Sequence, residues 1–124
     1  MTVNAPACAA RVGFADGAVQ VGPASFDVAP EFAVVAVTAL DDGPIAQSQH
    51  LLITATARAE NSGMVSDAAR TKVIDLGHAP ILMEPVRGTV RLALDRPVKT
   101  VNLYGLDSVG RRPGVVTGIG IRTR

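Results

Sequence analysis

Residues 86–94 read Val-Arg-Gly-Thr-Val-Arg-Leu-Ala-Leu, and this stretch decides the fold class. Its even-numbered positions carry Val, Gly, Val, Leu and Leu, whereas its odd-numbered positions carry Arg, Thr, Arg and Ala. Because successive side chains of a strand point to opposite faces of a sheet, this alternation predicts an antiparallel strand with one buried face. Asp95-Arg96-Pro97 predicts the turn that ends it, and residues 98–106 are expected to run back as the next strand.

A second, longer pair of strands is predicted over residues 32–40 and 51–59. Residues 32–40 are apolar except for Thr38, a composition typical of a strand that is covered on both faces. The turn sequence Asp41-Asp42-Gly43-Pro44 follows it. These two aspartates are therefore interpreted as turn residues rather than as a catalytic carboxylate pair.

Short strands are also predicted at both ends of the chain. A meander of strands separated by Gly-containing turns is expected near the N-terminus, over residues 11–14, 18–21 and 25–28. The last predicted strand covers residues 115–121, where glycines at alternate positions, Gly118 and Gly120, leave one face without side chains. This pattern indicates the close approach of another backbone or of a neighbouring domain.

Strand periodicity lapses between Glu60 and Ala79. Residues 60–63 and 77–80 are predicted turns, and residues 66–70 are predicted to form at most one helical turn with Ser66 as its N-cap. A loop of about 20 residues is long for a compact domain and usually carries a function or an interface. The loop is therefore the first place to look for functional residues.

Composition agrees with an all-β chain. The 124 residues are 48% apolar and only 3% aromatic, and the apolar residues are mostly Val and Ala. No amphipathic helix of useful length is visible, and turn signals recur roughly every 8–12 residues. We therefore expect one antiparallel two-sheet β-sandwich of about eight or nine strands over residues 1–124, immunoglobulin-like or jelly-roll-like, as a fragment of a larger protein.

Charge and hydropathy exclude some partners. The formal net charge is +1, so no strong field attracts a polyanion and nucleic acid is not an expected partner. No apolar run reaches the roughly 18 residues that a membrane span needs. Residues 1–10 also lack the basic and apolar regions of a signal peptide, so the chain is expected to be either cytosolic or a fragment of a longer protein.

The residues that usually carry chemistry form no recognisable set. Cys8 is the single cysteine, which excludes an intrachain disulfide, and neither His50 nor His78 has a local motif that ties it to a metal or to Cys8. No Gly-x-Ser-x-Gly nucleophile motif occurs. No metal, cofactor or catalytic residue is therefore expected, and an independent enzyme is the weakest hypothesis.

Two glutamates remain as acid–base candidates, since Glu60 and Glu84 each end a predicted strand. Glu60 is the stronger of the two because it opens the long loop. The structural alternative is that Glu60 caps the loop or forms an ion pair with Arg58 or Arg70.

Residues 50–85, HLLITATARAENSGMVSDAARTKVIDLGHAPILMEP, are the most distinctive part of the chain. They resemble the C-terminal β-sandwich that follows the catalytic barrel in bacterial glycoside hydrolases of the TIM-barrel clan. The segments that carry the resemblance are residues 51–64, Arg70-Thr71, residues 77–84 and 86–94, with further similar segments at 32–38, 41–45, 103–107 and 110–112.

The resemblance implies a non-catalytic accessory domain of an extracellular or periplasmic polysaccharide-degrading enzyme, in which the catalytic acids lie on the barrel. Such a domain would stabilise or flank the barrel, and the long loop would be its contact surface. The residues expected at this interface are Glu60, Asn61, Met64 and Arg70.

A carbohydrate-binding module that recognises a polysaccharide directly is the alternative. Its ligand-binding residues would be Tyr104 as the stacking ring, with Asn102 on the same strand face and with Arg87 and Arg91 on the polar face of their strand. Members of the resembled family often carry an aromatic residue near residues 65–66, where this chain has none. The shortage of rings favours the accessory domain.

Overall fold

The chain is an all-β protein built from short antiparallel strands. The computed structural model describes residues 1–115, which contain no helix and so none that is long and apolar enough to cross a membrane. The strands are β1 (Thr2–Ala5), β2 (Cys8–Phe14), β3 (Val19–Val21), β4 (Ala24–Ala29), β5 (Phe32–Ala39), β6 (Leu51–Thr56), β7 (Ala59–Ser62), β8 (Val65–Ser66), β9 (Val73–Asp75), β10 (His78–Met83), β11 (Arg87–Leu92), β12 (Tyr104–Gly105) and β13 (Gly114–Val115).

Two larger sheets lie in one compact unit, residues 1–93. The first has the strand order β1-β2-β5-β6, and the second has the order β11-β4-β3. The predictions of strands over residues 32–40 and 86–94 are confirmed, since β5 and β11 cover those segments. The N-terminal segments are strands β2 to β4, but the predicted meander is wrong, because β2 pairs with β1 and β5 whereas β3 pairs with β4 in the other sheet. The predicted alternation of residues 86–94 is seen in β11, where Arg91 is exposed and its neighbours Val90 and Leu92 are half-buried.

Both larger sheets contribute to one hydrophobic core. In β5 the buried residues are Ala33, Val35 and Val37, at the alternate positions that one face of a strand requires. From the second sheet, Phe26 of β4 is fully buried, together with smaller side chains of β3 and β4. Most of these core residues are Val and Ala, as the composition predicted.

A buried cation lies at one end of this core. Arg11 of β2 is 1% exposed and shares the core-facing side of its strand with Ala9. Its guanidinium donates to three backbone carbonyl oxygens, those of Val28 at 3.3 Å, Ala15 at 3.0 Å and Glu31. Arg11 therefore joins the first sheet to the end of β4 and to the connection that leads into β5.

A second constraint holds β11 against β4. Gly88 has φ +151°, and a Cβ atom built there would lie 2.2 Å from the carbonyl oxygen of Asp27. Because any side chain would push the two strands apart, this position requires glycine. Gly88 thus accounts for the glycine within the otherwise regular alternation of residues 86–94.

The two edge strands of the larger sheets continue beyond them. After Thr56 the chain passes from β6 through Ala57 and Arg58 into β7, and β10 passes into β11 in the same way. Beyond the sheets the two continuations pair with each other, β7 with β10 and then β8 with β9. We call this two-stranded ribbon, residues 58–84, the arm.

Three predictions about residues 60–80 are wrong. Residues 60–62 belong to β7 and residues 78–80 to β10. Of the two predicted turns, only Gly63 and Gly77 lie outside these strands, and both have a positive φ. Residues 66–70 form no helical turn, because the Asp67 carboxylate organises a hydrogen-bonded turn there instead. The turn-forming residue types of this segment lie in edge strands, where exposed backbone tolerates them.

The predicted pairing of residues 86–94 with 98–106 is also wrong. β11 pairs with β4 instead, from Arg87 opposite Ala29 to Leu92 opposite Ala24. Its Val90 and Leu92 thereby pack against the core. The prediction failed because a turn sequence indicates that the chain changes direction but does not determine which strand pairs with β11.

Residues 94–124 form a second compact unit, which is described up to Val115. Within residues 98–106 only Tyr104–Gly105 is a strand, and it pairs with Gly114–Val115. The Asp107 carboxylate accepts hydrogen bonds from the amides of Val109 and Arg111 and so organises a turn at this position. The predicted strand over 115–121, with Gly118 and Gly120, lies almost entirely outside the described residues.

Replacing Arg11 tests its role in joining the sheets. Arg11→Met keeps an unbranched side chain of similar length but leaves three carbonyl groups without their donor, so we expect a loss of about 3 kcal/mol in the free energy of unfolding. Urea denaturation followed by circular dichroism measures this loss. Arg91→Met, at an exposed position of β11, is the matched control and should change the free energy by no more than about 0.5 kcal/mol. Equal effects of the two variants would contradict the role of Arg11.

Candidate functional site

The arm folds back on itself where its two pairs of strands meet. Gly77 has φ +65°, and a Cβ atom there would lie 2.3 Å from the carbonyl oxygen of Ser62, so the backbones of the two sides touch. The Asn61 side chain donates to the carbonyl oxygen of Leu76 at 2.9 Å, and the Ser62 hydroxyl donates to that of Pro80 at 2.9 Å. These contacts fix the bend between the β7–β10 pair and the β8–β9 pair.

The tip of the arm is a turn built around Asp67. Its carboxylate accepts hydrogen bonds from the Thr71 hydroxyl at 2.8 Å, from the Thr71 amide at 2.7 Å and from the Lys72 amide at 3.1 Å. The Thr71 hydroxyl and then the Lys72 amide hold the pKa of Asp67 below its ordinary value, because they stabilise the charged form. The tip is therefore organised by an ionised carboxylate.

An ion pair joins the tip to the base of the arm. The Arg70 guanidinium contacts the Glu60 carboxylate directly, and Arg70 itself adopts a positive φ of 53°. A non-glycine residue in this conformation costs roughly 1–2 kcal/mol, so the contacts that Arg70 makes must offset that cost. Of the alternatives for Glu60, the structure selects the ion pair with Arg70.

The folded arm lines an open cleft of about 390 Å³. All four residues predicted for the interface, Glu60, Asn61, Met64 and Arg70, line it. Arg58, Leu82 and Glu84 also line it, so the two glutamates that the sequence singled out share one cleft. The structure thus brings together residues that are up to 26 positions apart in the chain.

Arg58, at the base of the arm, was not predicted as a site residue. Its guanidinium carbon lies 5.3 Å from the centre of the Phe32 ring and 5.6 Å from that of Phe14. The two rings pack edge to face, with centres 5.0 Å apart. Cation–π attraction therefore holds Arg58 at the end of the first sheet. Arg58 lies within 51–59, and nothing local in the sequence indicates rings that are 26 and 44 residues away.

The arm exposes a large set of apolar side chains. None of the residues between 57 and 83 belongs to the core or packs against it. Instead, seven of the arm's large apolar side chains are 47% to 70% exposed: Val65, Val73, Ile74, Leu76, Ile81, Leu82 and Met83. A surface of this kind usually marks a site of interaction.

The residues predicted for direct polysaccharide binding lie in two parts of the chain, which are described separately. Arg87 and Arg91 lie on the exposed side of β11, as predicted. Tyr104 is in β12, but Asn102 precedes that strand, so the expected shared strand face is wrong. The guanidinium carbon of Arg112 lies 4.8 Å from the centre of the Tyr104 ring, so one face of the ring is already covered.

The remaining candidates occupy structural positions. The Cys8 sulfur accepts a long hydrogen bond from the Thr38 hydroxyl, at 3.9 Å. The Ser48 hydroxyl and then the Gln49 amide hold the pKa of Asp41 below its ordinary value, as suits an aspartate in a turn. Among residues 1–115 no group of three or more His, Cys, Asp and Glu side chains lies close enough to hold a metal ion.

Comparison with protein-family models, with curated proteins and with solved structures finds no match to this chain. The functional conclusions therefore depend on the residues of the arm.

The pKa of Asp67 tests the geometry of the tip. Thr71→Val removes the hydroxyl that donates to Asp67 and should raise the Asp67 pKa toward 3.8, as measured by NMR titration of the side-chain carboxyl carbons. A lowered pKa in the folded state stabilises the tip above the unfolded-state pKa, and this stabilisation is lost as the pH falls through the folded-state pKa. In Thr71→Val that loss should be smaller.

Asp41 is the internal control for this titration. Its pKa is lowered by Ser48 and Gln49, which the substitution does not touch, so it should not change. An Asp67 pKa that stays where it is in the unmodified chain would contradict the assignment of Thr71 as the main donor.

Proposed function

We propose that this chain is a non-catalytic β-domain that flanks and stabilises the catalytic barrel of a polysaccharide-degrading glycoside hydrolase, with the arm as its contact surface. The observation that carries the proposal is the set of exposed apolar side chains on the arm, which the chain's own core does not use. The resemblance of residues 50–85 to the sandwich domains of such enzymes is the reason for proposing a glycoside hydrolase barrel as the partner.

The physical reason is the cost of leaving these side chains in water. Burying one Ile, Leu or Val side chain contributes about 1.5–3 kcal/mol, so several together stabilise a complex substantially. Among the described residues, β7 and β10 pair only with each other, which leaves the outer edge of each strand open. Open strand edges offer backbone hydrogen bonds to a partner and strengthen the case for docking.

A two-layer sandwich is the form of the fold that fits this proposal. We infer that the two larger sheets are the two layers of a β-sandwich, because Val35 and Val37 of one sheet and Phe26 of the other share a single core. A sandwich of this kind gives the arm a rigid base. The proposal assigns catalysis to the barrel and no catalytic residue to this chain, and it places the domain outside the cytoplasm together with its parent enzyme.

Direct polysaccharide binding through Tyr104 receives less support. Arg112 covers one face of the ring, and Tyr104 is 38% exposed. Stacking on a sugar needs an open ring face. The docking proposal is therefore the stronger of the two.

Association with the barrel tests the proposal. The coding sequence around this chain should encode a TIM barrel, and calorimetric titration of that barrel with this chain should show binding. Ile81→Asp introduces a charge at a position that is 67% exposed and should weaken the association about 10- to 100-fold.

Leu40→Asp is the matched control for this experiment. Leu40 is 62% exposed and lies in the connection between β5 and β6, outside the arm, so its replacement should leave the affinity unchanged. The proposal fails if no barrel is encoded beside the chain, if the two do not bind, or if both variants weaken binding equally.

A further inference from the structure

Each larger sheet has a second edge strand besides the one that continues into the arm: β1 in the first sheet and β3 in the second. These two edges lie side by side, since a Cβ atom built on Gly22, directly after β3, would lie 2.6 Å from the side-chain oxygen of Asn4 in β1. Residues 1–10 and 17–26 contain both edges and have no charged side chain, although 19% of the chain is charged. Charged residues usually protect open edges and are depleted where proteins associate, so this side has the composition of an interface.

The backbone of β1 has two residues that are free to pair with another strand. The Met1 amino group donates to the Val12 carbonyl oxygen at 2.9 Å, and the Val12 amide donates to the Met1 carbonyl oxygen at 2.8 Å. Because hydrogen-bonded pairs alternate with non-hydrogen-bonded pairs along an antiparallel ladder, the N–H and C=O groups of Thr2 and Asn4 point away from β2. Within the described part of the chain, β1 pairs with β2 alone, so this outer edge is open.

The open edge of β1 is complementary to itself. Thr2 and Asn4 flank Val3, so a two-fold axis at Val3 places Thr2 of one copy opposite Asn4 of a second copy, and Asn4 opposite its Thr2. In this register every outward N–H and C=O group of both strands finds a partner. A register centred on Asn4 would place Thr2 opposite Pro6, which has no N–H to donate. The backbone therefore favours the pairing that is symmetric about Val3.

The side chains fit the same register. Val3 is 40% exposed, and the Val3 side chains of the two copies would meet in a non-hydrogen-bonded pair, where opposed side chains come closest. Met1, which is 80% exposed, would lie opposite Ala5 of the second copy. An open recess of about 350 Å³ lies beside that position, lined by Asn4, Ala5, Pro6, Pro23, Pro44 and Ala46. A flexible Met side chain is suited to fill such an irregular, largely apolar space.

We propose that β1 is a homodimer interface, in which two copies of this chain join their first sheets edge to edge, antiparallel and symmetric about Val3. Two identical edges without charged side chains approach each other without repulsion, which favours a second copy as the occupant. Four residues a side make a small interface, so we expect a reversible dimer with a dissociation constant of about 100 μM. The arm extends from the opposite edge of the first sheet, so this proposal does not depend on the docking function.

Sedimentation velocity of the chain over a range of concentrations tests the dimer and should show a monomer–dimer equilibrium. Thr2→Pro removes an outward N–H but no hydrogen bond to β2, and proline is tolerated in edge strands at such positions. The symmetric dimer loses this donor twice, so the variant should dimerise about 10- to 100-fold more weakly. Circular dichroism shows whether the variant keeps the fold of the unmodified chain.

Val3→Lys tests the register, because it places two like charges directly opposite each other across the two-fold axis and should abolish dimerisation. Val73→Lys is the matched control, since it makes the same change at a position of β9 in the arm that is 47% exposed. It should leave the dissociation constant unchanged. An equimolar mixture of Val3→Lys and Val3→Glu should form a dimer with one copy of each, because opposite charges in a cross-strand pair attract.

The proposal is overturned if the chain stays monomeric at about 1 mM, if Val73→Lys weakens the dimer as much as Val3→Lys, or if the two Val3 variants do not associate when mixed. Ile81→Asp, which tests docking to the barrel, should leave dimerisation unchanged. A dimer that is lost in Ile81→Asp and kept in Val3→Lys would lie on the arm and would also overturn the proposal. Failure of this proposal can thus be told from failure of the docking function.

Discussion

One buried guanidinium holds the first compact unit together. Arg11 is fully desolvated and has three backbone carbonyl groups as its partners. Neutral carbonyls compensate a buried cation only when several of them converge on it, so the segments that carry Ala15, Val28 and Glu31 must keep their positions for Arg11 to stay buried. This contact, together with the shared hydrophobic core around Phe26, fixes the placement of β4 beside the first sheet.

The arm follows from how the larger sheets end. Its two strands are extensions of β6 and β11, and these are edge strands of different sheets. The fully buried core residues lie in or before residue 45, so the arm adds nothing to that core and stays in solvent. What gives the arm a defined shape is polar: the Asp67 turn, the contact of Arg70 with Glu60, and the stacking of Arg58 on two rings. Its apolar side chains remain available for a partner.

The sequence predicts the strands well where apolar side chains are buried, as in the apolar run of β5 and the alternation of β11, and poorly where the strands are exposed. Residues 60–62 and 78–80 contain turn-forming residue types, yet they are strands because each pairs with the other across a long separation that local patterns do not reveal. The burial of Arg11 was not predicted because an arginine in a strand normally faces solvent. The four residues predicted for an interface lie together because their segment, which the sequence suggested was a long loop, is a paired ribbon that folds back on itself around one cleft.

The continuity of the arm with both sheets also has a mechanical consequence. A pulling force applied to the arm passes along its two strands into β6 and β11, and from there into the hydrogen bonds that these strands make with β5 and β4. Those bonds lie across the direction of pull, so many of them share the load at the same time instead of breaking one after another. Tension on the arm is therefore borne by both sheets together.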